Sequence, residues 1–246
     1  MGILLSQQTK LFLDKFDLTL GGREVTWETM KPIVEVTDLS DSEVRQYPSI
    51  PTCNITYAGL WRTDATANEP ALRTLIESTA VKVMTMFLGT TENAEAVFTR
   101  LTVSAIRTAP RLNEAVPLSG DVVTDRTTEF GRILLPKTSI ASSSGLGQSL
   151  DGAKDGAGSS GSVNGVVWGY HIFALSSSAT RHISLQHASS ADGPFVDFDA
   201  DSSVAVAAGV RNLVTGTLKR YTRFRVLQGS TGSGSSCAIA AFIRRL

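Results

Sequence analysis

The sequence predicts a mainly β protein in two parts: an N-terminal antiparallel β-barrel or sandwich carrying one short helix, and a small C-terminal β-sandwich. Three observations carry that expectation. Apolar residues in the first half recur mostly with period two, the spacing of strands with one buried face. A single helix signal begins at Asn68, and none follows residue 137. Of the 29 residues 137–165, 15 are serine or glycine, a composition with too little apolar surface to offset its ordering entropy. Charge changes across that stretch too: residues 1–136 hold 13 basic and 17 acidic side chains, residues 137–246 hold 10 and 6. The expected division is a first domain over 1–136, a Ser/Gly-rich linker over 137–165 and a second domain over 166–246.

Taking the elements in order, Leu11, Leu13, Lys15, Asp17 and Thr19 alternate against Phe12, Asp14, Phe16, Leu18 and Leu20. Gly21-Gly22 then leads to Val25, Trp27 and Thr29, the pattern of a hairpin that turns at the glycines. Strands are expected at residues 32–37, 52–61, 81–88, 97–106, 116–123 and 128–135, most of them rich in β-branched side chains. Before residue 81 lies the helix, with Asn68 as N-cap, Glu69 and Pro70 in the first turn, and Leu72, Leu75 and Ile76 at helical spacing. One helix packed on a bent antiparallel sheet is the expected shape. Beyond the linker, strands are expected at 166–175, 181–188, 204–208, 210–216, 221–228 and 237–244, with turns at Asp192-Gly193 and 229–236.

Composition excludes several functions. Lysine plus arginine (23) equals aspartate plus glutamate (23), so the chain lacks the bulk positive field of a sequence-independent nucleic-acid binder. Cys53 and Cys237 are too few for a disulfide scaffold or zinc module and read as free buried thiols. Near the start, Ile3, Leu4 and Leu5 form a run too short for a signal-peptide core or a membrane span.

Chemical motifs dissolve on inspection. His182 and His187, five apart in an alternating strand, point to opposite faces, and His171 lies apart from both. Gly156, Gly158 and Gly161 spell GxGxxG but sit in low-complexity sequence leading into a strand, where a nucleotide fold needs a helix. Asp197, Asp199 and Asp201 would share one face of a regular strand, either as a charged, solvated edge or as a weak cation site. An EF-hand would need glycine and glutamate where Ser202 and Ala208 stand. No serine lies in a GxSxG elbow, so no catalytic centre, metal or cofactor is expected.

A feature of assembly stands out instead. Between the strands around residues 37 and 52 runs a connection far longer than a hairpin loop, carrying Leu39, Asp41, Glu43, Val44, Arg45, Tyr47 and Ile50. Its apolar members argue against disorder, and the mixture of charge and apolar surface is that of a loop reaching a neighbouring subunit, or of one folded back on its own barrel.

The order of these pieces resembles the major tail protein, or tail tube protein, of long-tailed bacteriophages and gene transfer agents. The resemblance rests on the opening segment around Leu11 to Leu20 and on Val34-Glu35-Val36-Thr37-Asp38-Leu39 at the loop entry. It continues through Tyr47-Pro48-Ser49-Ile50-Pro51, Ile55-Thr56-Tyr57-Ala58-Gly59-Leu60-Trp61, the helix from Asn68 and the strands through Leu135. The second half is similar to a β domain often appended to such proteins, through Ile183-Ser184-Leu185-Gln186-His187, Ala191-Asp192-Gly193-Pro194-Phe195, and Val214 to Tyr221 with Arg223.

The resemblance implies a non-enzymatic virion protein, assembled in the host cytoplasm, whose sheet joins its neighbours' sheets into rings. The rings would stack through the long loop into a tube that carries double-stranded DNA without binding it. Tape measure, tail tip and terminator proteins are the implied partners. Phosphate should be repelled by the wall, so Glu24, Glu28, Glu35 and Asp121 are expected to face the channel, with outward solvation as the alternative. The missing second helix favours six chains per ring over three, with the second domain as an external decoration. A carbohydrate- or cell-surface-binding β module is the competing expectation.

Overall fold

The computed structural model describes residues 2–4, 8–31, 33–35, 46–48, 52–61, 68–108, 116–124, 128–141, 144–146, 150–151, 161–175, 180–228 and 236–246. Its elements begin with β1 (Gly2–Leu4), β2 (Lys10–Leu13), β3 (Phe16–Asp17), β4 (Gly22–Met30), β5 (Ile33–Glu35), β6 (Gln46–Pro48) and β7 (Thr52–Leu60). The helix α1 (Asn68–Ile76) precedes β8 (Lys82–Phe87), β9 (Glu95–Thr108), β10 (Pro117–Thr124) and β11 (Glu129–Ala141). Then come β12 (Ser144–Leu146), β13 (Leu150–Asp151), β14 (Val166–Leu175), β15 (Arg181–Ala188) and β16 (Val196–Val204). The chain continues with β17 (Gly209–Val214), β18 (Tyr221–Gln228) and β19 (Ser236–Arg245). The fold is mainly β and antiparallel, with one helix among the described residues.

Two compact units are formed. Unit 1 comprises residues 1–5, 21–81 and 99–128, and unit 2 comprises 6–20, 82–98 and 129–246. This division differs from the boundary expected at residue 136. β11 runs through that point and pairs with β19 from Arg132↔Ile243 to Ala141↔Ser236. The Ser/Gly segment expected as a linker also supplies β12 and β13, both paired with β18. A ladder is built from backbone N–H and C=O groups, so a run of small residues pairs readily once a partner strand lies beside it.

In unit 1 the strand order is β1-β4-β7-β10-β9, the last contributed by the C-terminal part of β9. Val25, Trp27, Ile55, Tyr57, Leu118, Val122, Leu101 and Val103 are buried. They share the sheet face on which α1 packs through Ala71, Leu72 and Leu75. Gly120 permits the close approach of helix and sheet: a Cβ there would lie 3.2 Å from Leu72 Cδ1. The expected helix-on-sheet arrangement is therefore present. β5 and β6 form a separate two-stranded ribbon, Ile33↔Pro48 to Glu35↔Gln46.

In unit 2, β11, β19, β14 and β17 lie in one sheet, and β16, β15 and β18 in another. Between them sits a core of Trp168, Tyr170, Ile172, Ile183, Leu185, Phe224, Val226 and Ile239. A second core collects Phe12 of β2, Phe87 of β8, Phe98 of β9 and Val167, Ala240 and Phe242 of β14 and β19. The hairpin expected to turn at Gly21-Gly22 is corrected. Phe12↔Asp17 and Leu13↔Phe16 pair across Asp14-Lys15, and Asp14 takes the left-handed φ of 53° that so tight a turn needs. β4 pairs instead with β1 and β7.

Candidate functional site

The same alternation that buries Val25 and Trp27 turns Glu24, Thr26 and Glu28 to the opposite face of the unit 1 sheet. Antiparallel register continues this face across the sheet. Glu24 stands opposite Ala58, Thr26 opposite Thr56 and Glu28 opposite Asn54. Beyond them Ser119, Asp121 and Val123 of β10 stand opposite Ala58, Thr56 and Asn54. Arg107 and Thr102 of β9 follow, opposite Ser119 and Val123.

Three of the four acids expected at a channel, Glu24, Glu28 and Asp121, thus share one face of one sheet. Glu35 is exposed on the β5–β6 ribbon, apart from them.

Asp121 is the most constrained of the three. Its carboxylate pairs with Arg107 and accepts a bond from Thr56 Oγ1 at 3.4 Å, while its carbonyl accepts one from Ser104 Oγ at 3.0 Å. Ser104 lies at a register shift between β9 and β10. Glu24 and Glu28 are exposed and form no ion pair with a described residue. Their face offers carboxylates, hydroxyls and amides, with Arg107 on it, Arg100 beside Thr102 by alternation and Arg23 lining a hollow with Ala58, Arg107 and Ser119, so its acids are balanced by guanidinium groups.

Both sides of this sheet leave stretches of strand backbone unpaired among the described residues. β1 covers only Glu24 to Thr26 of the nine-residue β4. On the other side, residues 101–108 of β9 pair with β10, and no second strand pairs with them among the described residues. Unpaired ladder groups on both edges are what joining to another chain requires. Of the predicted loop contacts, Leu39, Asp41, Glu43, Val44, Arg45 and Ile50 lie outside the described residues, and Tyr47 belongs to β6.

No protein-family model and no curated protein matches the chain. Among solved structures it is similar to a chain of the native gene transfer agent virion, at 15% identity over 51% of this chain and 96% of that one, with a TM-score of 0.41. It is also similar to a chain of the tail of an empty gene transfer agent particle, refined with C6 symmetry, at 16% identity over 50% and 93%, with a TM-score of 0.40. A third likeness is to the activated baseplate of phage p2, at 8% identity over 97% of this chain and 98% of that one, with a TM-score of 0.31.

The other sequence motifs resolve differently. A register shift between Leu185 and Gln186 separates Asp197 from Asp199 and Asp201, so the three carboxylates do not line one face. Asp199 accepts from Trp168 Nε1 at 2.7 Å, and Asp201 from Tyr170 Oη at 2.9 Å and Asn212 Nδ2 at 3.0 Å. These two acids serve core aromatics rather than a solvated edge, and burial with the Asp201 charge raises the Tyr170 pKa. No group of three or more metal-ligating side chains occurs among the described residues.

His171, which lies apart from the other two histidines in sequence, is wholly buried. Its Nδ1–H donates to the Asp14 carbonyl at 2.7 Å, and Nε2 accepts from Thr85 Oγ1 at 2.8 Å. Cys53 and Cys237 are free and buried, as expected. Gly156 and Gly158 of the GxGxxG match lie outside the described residues.

Sequence reasoning missed two features of unit 1. Arg107 was not expected on the acidic face: alternation from buried Leu101 and Val103 would have turned it inward, and the register shift at Ser104 reverses the faces of β9 beyond it. Thr128 was missed as a hub: it accepts from Trp27 Nε1 at 2.6 Å and donates to Cys53 Sγ at 3.0 Å, across 101 and 75 residues of chain. No local pattern signals such a pairing.

Proposed function

We propose that this chain is a structural virion protein of a long-tailed phage or gene transfer agent, polymerising as stacked rings into a tail tube. The observation that carries the reading is the coincidence, on one sheet, of an acid-bearing polar face and two incompletely paired edges. Edge-to-edge joining of such sheets around a ring removes the edges and turns the polar face into a continuous wall. A wall on which Glu24, Glu28 and Asp121 offset Arg107 and its neighbouring arginines suits passage of double-stranded DNA, because a net cationic lining would hold phosphate by counterion release. The order of sequence pieces quoted above supports the same reading.

Six chains per ring are proposed, since each chain supplies one such sheet with one helix. Glu35, in the ribbon beside the long loop, belongs on this reading to the contact between rings rather than to the wall. On this reading the protein acts without catalysis. Light scattering with negative-stain microscopy at rising protein concentration tests the proposal. Rings or tubes with a central channel are the expected result, and ring mass distinguishes six chains from three. A monomer that also fails to extend a supplied tail tip would refute it.

A further inference from the structure

The outward face of the second sheet of unit 2 carries a built polar cluster that the assembly reading leaves unused. Along β18, Thr222, Phe224 and Val226 are buried, and alternation turns Tyr221, Arg223, Arg225 and Leu227 the other way. Opposite them on β15 stand Gln186 beside Arg223, Ser184 beside Arg225 and His182 beside Leu227, with Asp197 of β16 opposite Gln186.

Hydrogen bonds fix this cluster in one sense. Gln186, 2% exposed, donates from Nε2 to Asp197 Oδ1 at 2.8 Å, so its Oε1 faces Arg223 and accepts from Nε, also at 2.8 Å. Burial opposes the charge on Asp197, yet the Gln186 bond and the His182 and Arg225 fields hold its carboxyl below the ordinary range. The guanidinium of Arg223 also lies over the Phe195 ring, 4.1 Å from its centroid. Held at Nε and against an aromatic face, Arg223 is preorganised, and its two terminal nitrogens have no hydrogen-bond partner among the described residues.

Arg225 is the second half of the site. Its Nε is buried and meets no hydrogen-bond partner among the described residues, an unusual state for a charged donor. It stands two residues from Arg223 on the same face, and Asp197 is the acid held against this pair. An anion bridging the two guanidinium groups would satisfy the orphaned donor and relieve their mutual repulsion. Tyr221, with Arg220 5.1 Å from its ring centroid, gives this face a second half-buried aromatic side chain.

We propose that Arg223 and Arg225, steadied by Gln186 and Asp197, form an oxyanion site for the carboxylate or phosphate of an acidic saccharide. The planar fork of each guanidinium matches either group in bidentate fashion, and aromatic side chains beside a few placed polar groups are the usual composition of a small-molecule site. The proposal does not depend on assembly of the chain.

The test is a titration of the full chain followed through its arginine Nε–Hε NMR signals, with D-glucuronate, inorganic phosphate and uncharged glucose as probes. Saturable shifts of Arg223 and Arg225 with glucuronate or phosphate, absent with glucose, are expected, and the stronger of the two separates carboxylate from phosphate as the source. Arg211, bound to Glu129, serves as an unmoved reference and shows that each variant is folded. Arg223→Lys keeps the charge but loses the fork, and should weaken binding about tenfold or more. Arg225→Lys should do the same. Shifts that fail to saturate or move every arginine alike, or an Arg223→Lys variant that binds as well as the parent, would overturn the proposal.

Discussion

Unit 1 keeps Glu24, Glu28 and Asp121 on an outward sheet face, whereas unit 2 turns Glu129, Asp199, Asp201 and His171 inward and gives each a partner. Glu129 receives a two-point clasp from Arg211, Nε to Oε2 at 2.8 Å and Nη2 to Oε1 at 2.6 Å, with Arg244 3.6 Å away. The side chains of this pair are only 11% and 5% exposed. An exposed carboxylate is solvated whatever its neighbours do, while a buried one depends on a specific donor. Glu24 and Glu28 should therefore be replaceable at little structural cost, and Glu129, Asp199 and Asp201 hardly at all.

The largest expected effect is that of Glu129→Ala, which strands the Arg211 charge in the interior. A loss of about 3–5 kcal/mol in unfolding free energy is expected by urea titration. A loss below about 1 kcal/mol would erase the contrast between the units.

Acid should also act selectively on unit 2. Burial pushes the His171 pKa down from 6.5 to about 4, against the opposing pull of the Asp14 carbonyl and the Asp14 and Asp17 charges. The unfolded chain thus takes up this proton first as pH falls. Stability is full above pH 6.5 and is lost progressively down to about 4, by about 3 kcal/mol. His187, also pushed down by burial and by Lys219 and Arg245, adds loss of the same sign. His171 and His187 both lie in unit 2, so hydrogen exchange at pH 5 should show protection falling there before it falls in β4, β7 and β10.

Within unit 1, Thr128→Val removes the acceptor of Trp27 Nε1 and should cost about 1–2 kcal/mol, read as a shift in urea midpoint. Smallest of all, Glu24→Gln with Glu28→Gln should move stability by no more than about 0.5 kcal/mol. A larger loss would mean that this face is not simply solvated.

Much of this contrast could be read from the sequence. Strands β14 and β15 fall on their expected residues, because each is bounded by turn-forming composition, and α1 starts at its expected Asn68. The common face of Glu24 and Glu28 follows from alternation alone, since Val25 and Trp27 had to be buried. Asp121 joined them through a register no local signal encodes, and Arg107 came with it. Three features stayed hidden because they are fixed by partners far along the chain. β11 continues into serine- and threonine-containing sequence because β19 lies beside it. Glu129 finds Arg211 across 82 residues. Asp199 and Asp201 turn inward because Trp168 and Tyr170 need acceptors.

The tight turn at Asp14 has a consequence for the order of events during synthesis. Its carbonyl waits for His171, 157 residues later, and its carboxylate for the backbone N–H of Gly209, 195 residues later. At a translation speed of about 5–20 residues per second, the hairpin made near the start stays without these anchors for about 10–40 s. Phe12 and Leu13, both wholly buried in the finished protein, find their first long-range partners in β8, where Phe12 meets Phe87 edge-on, and Phe12 gains the His171 ring only later. A ribosome stalled before Gly209 would thus release a product in which β2 can pair with β8 while the Asp14 carboxylate still lacks the Gly209 N–H.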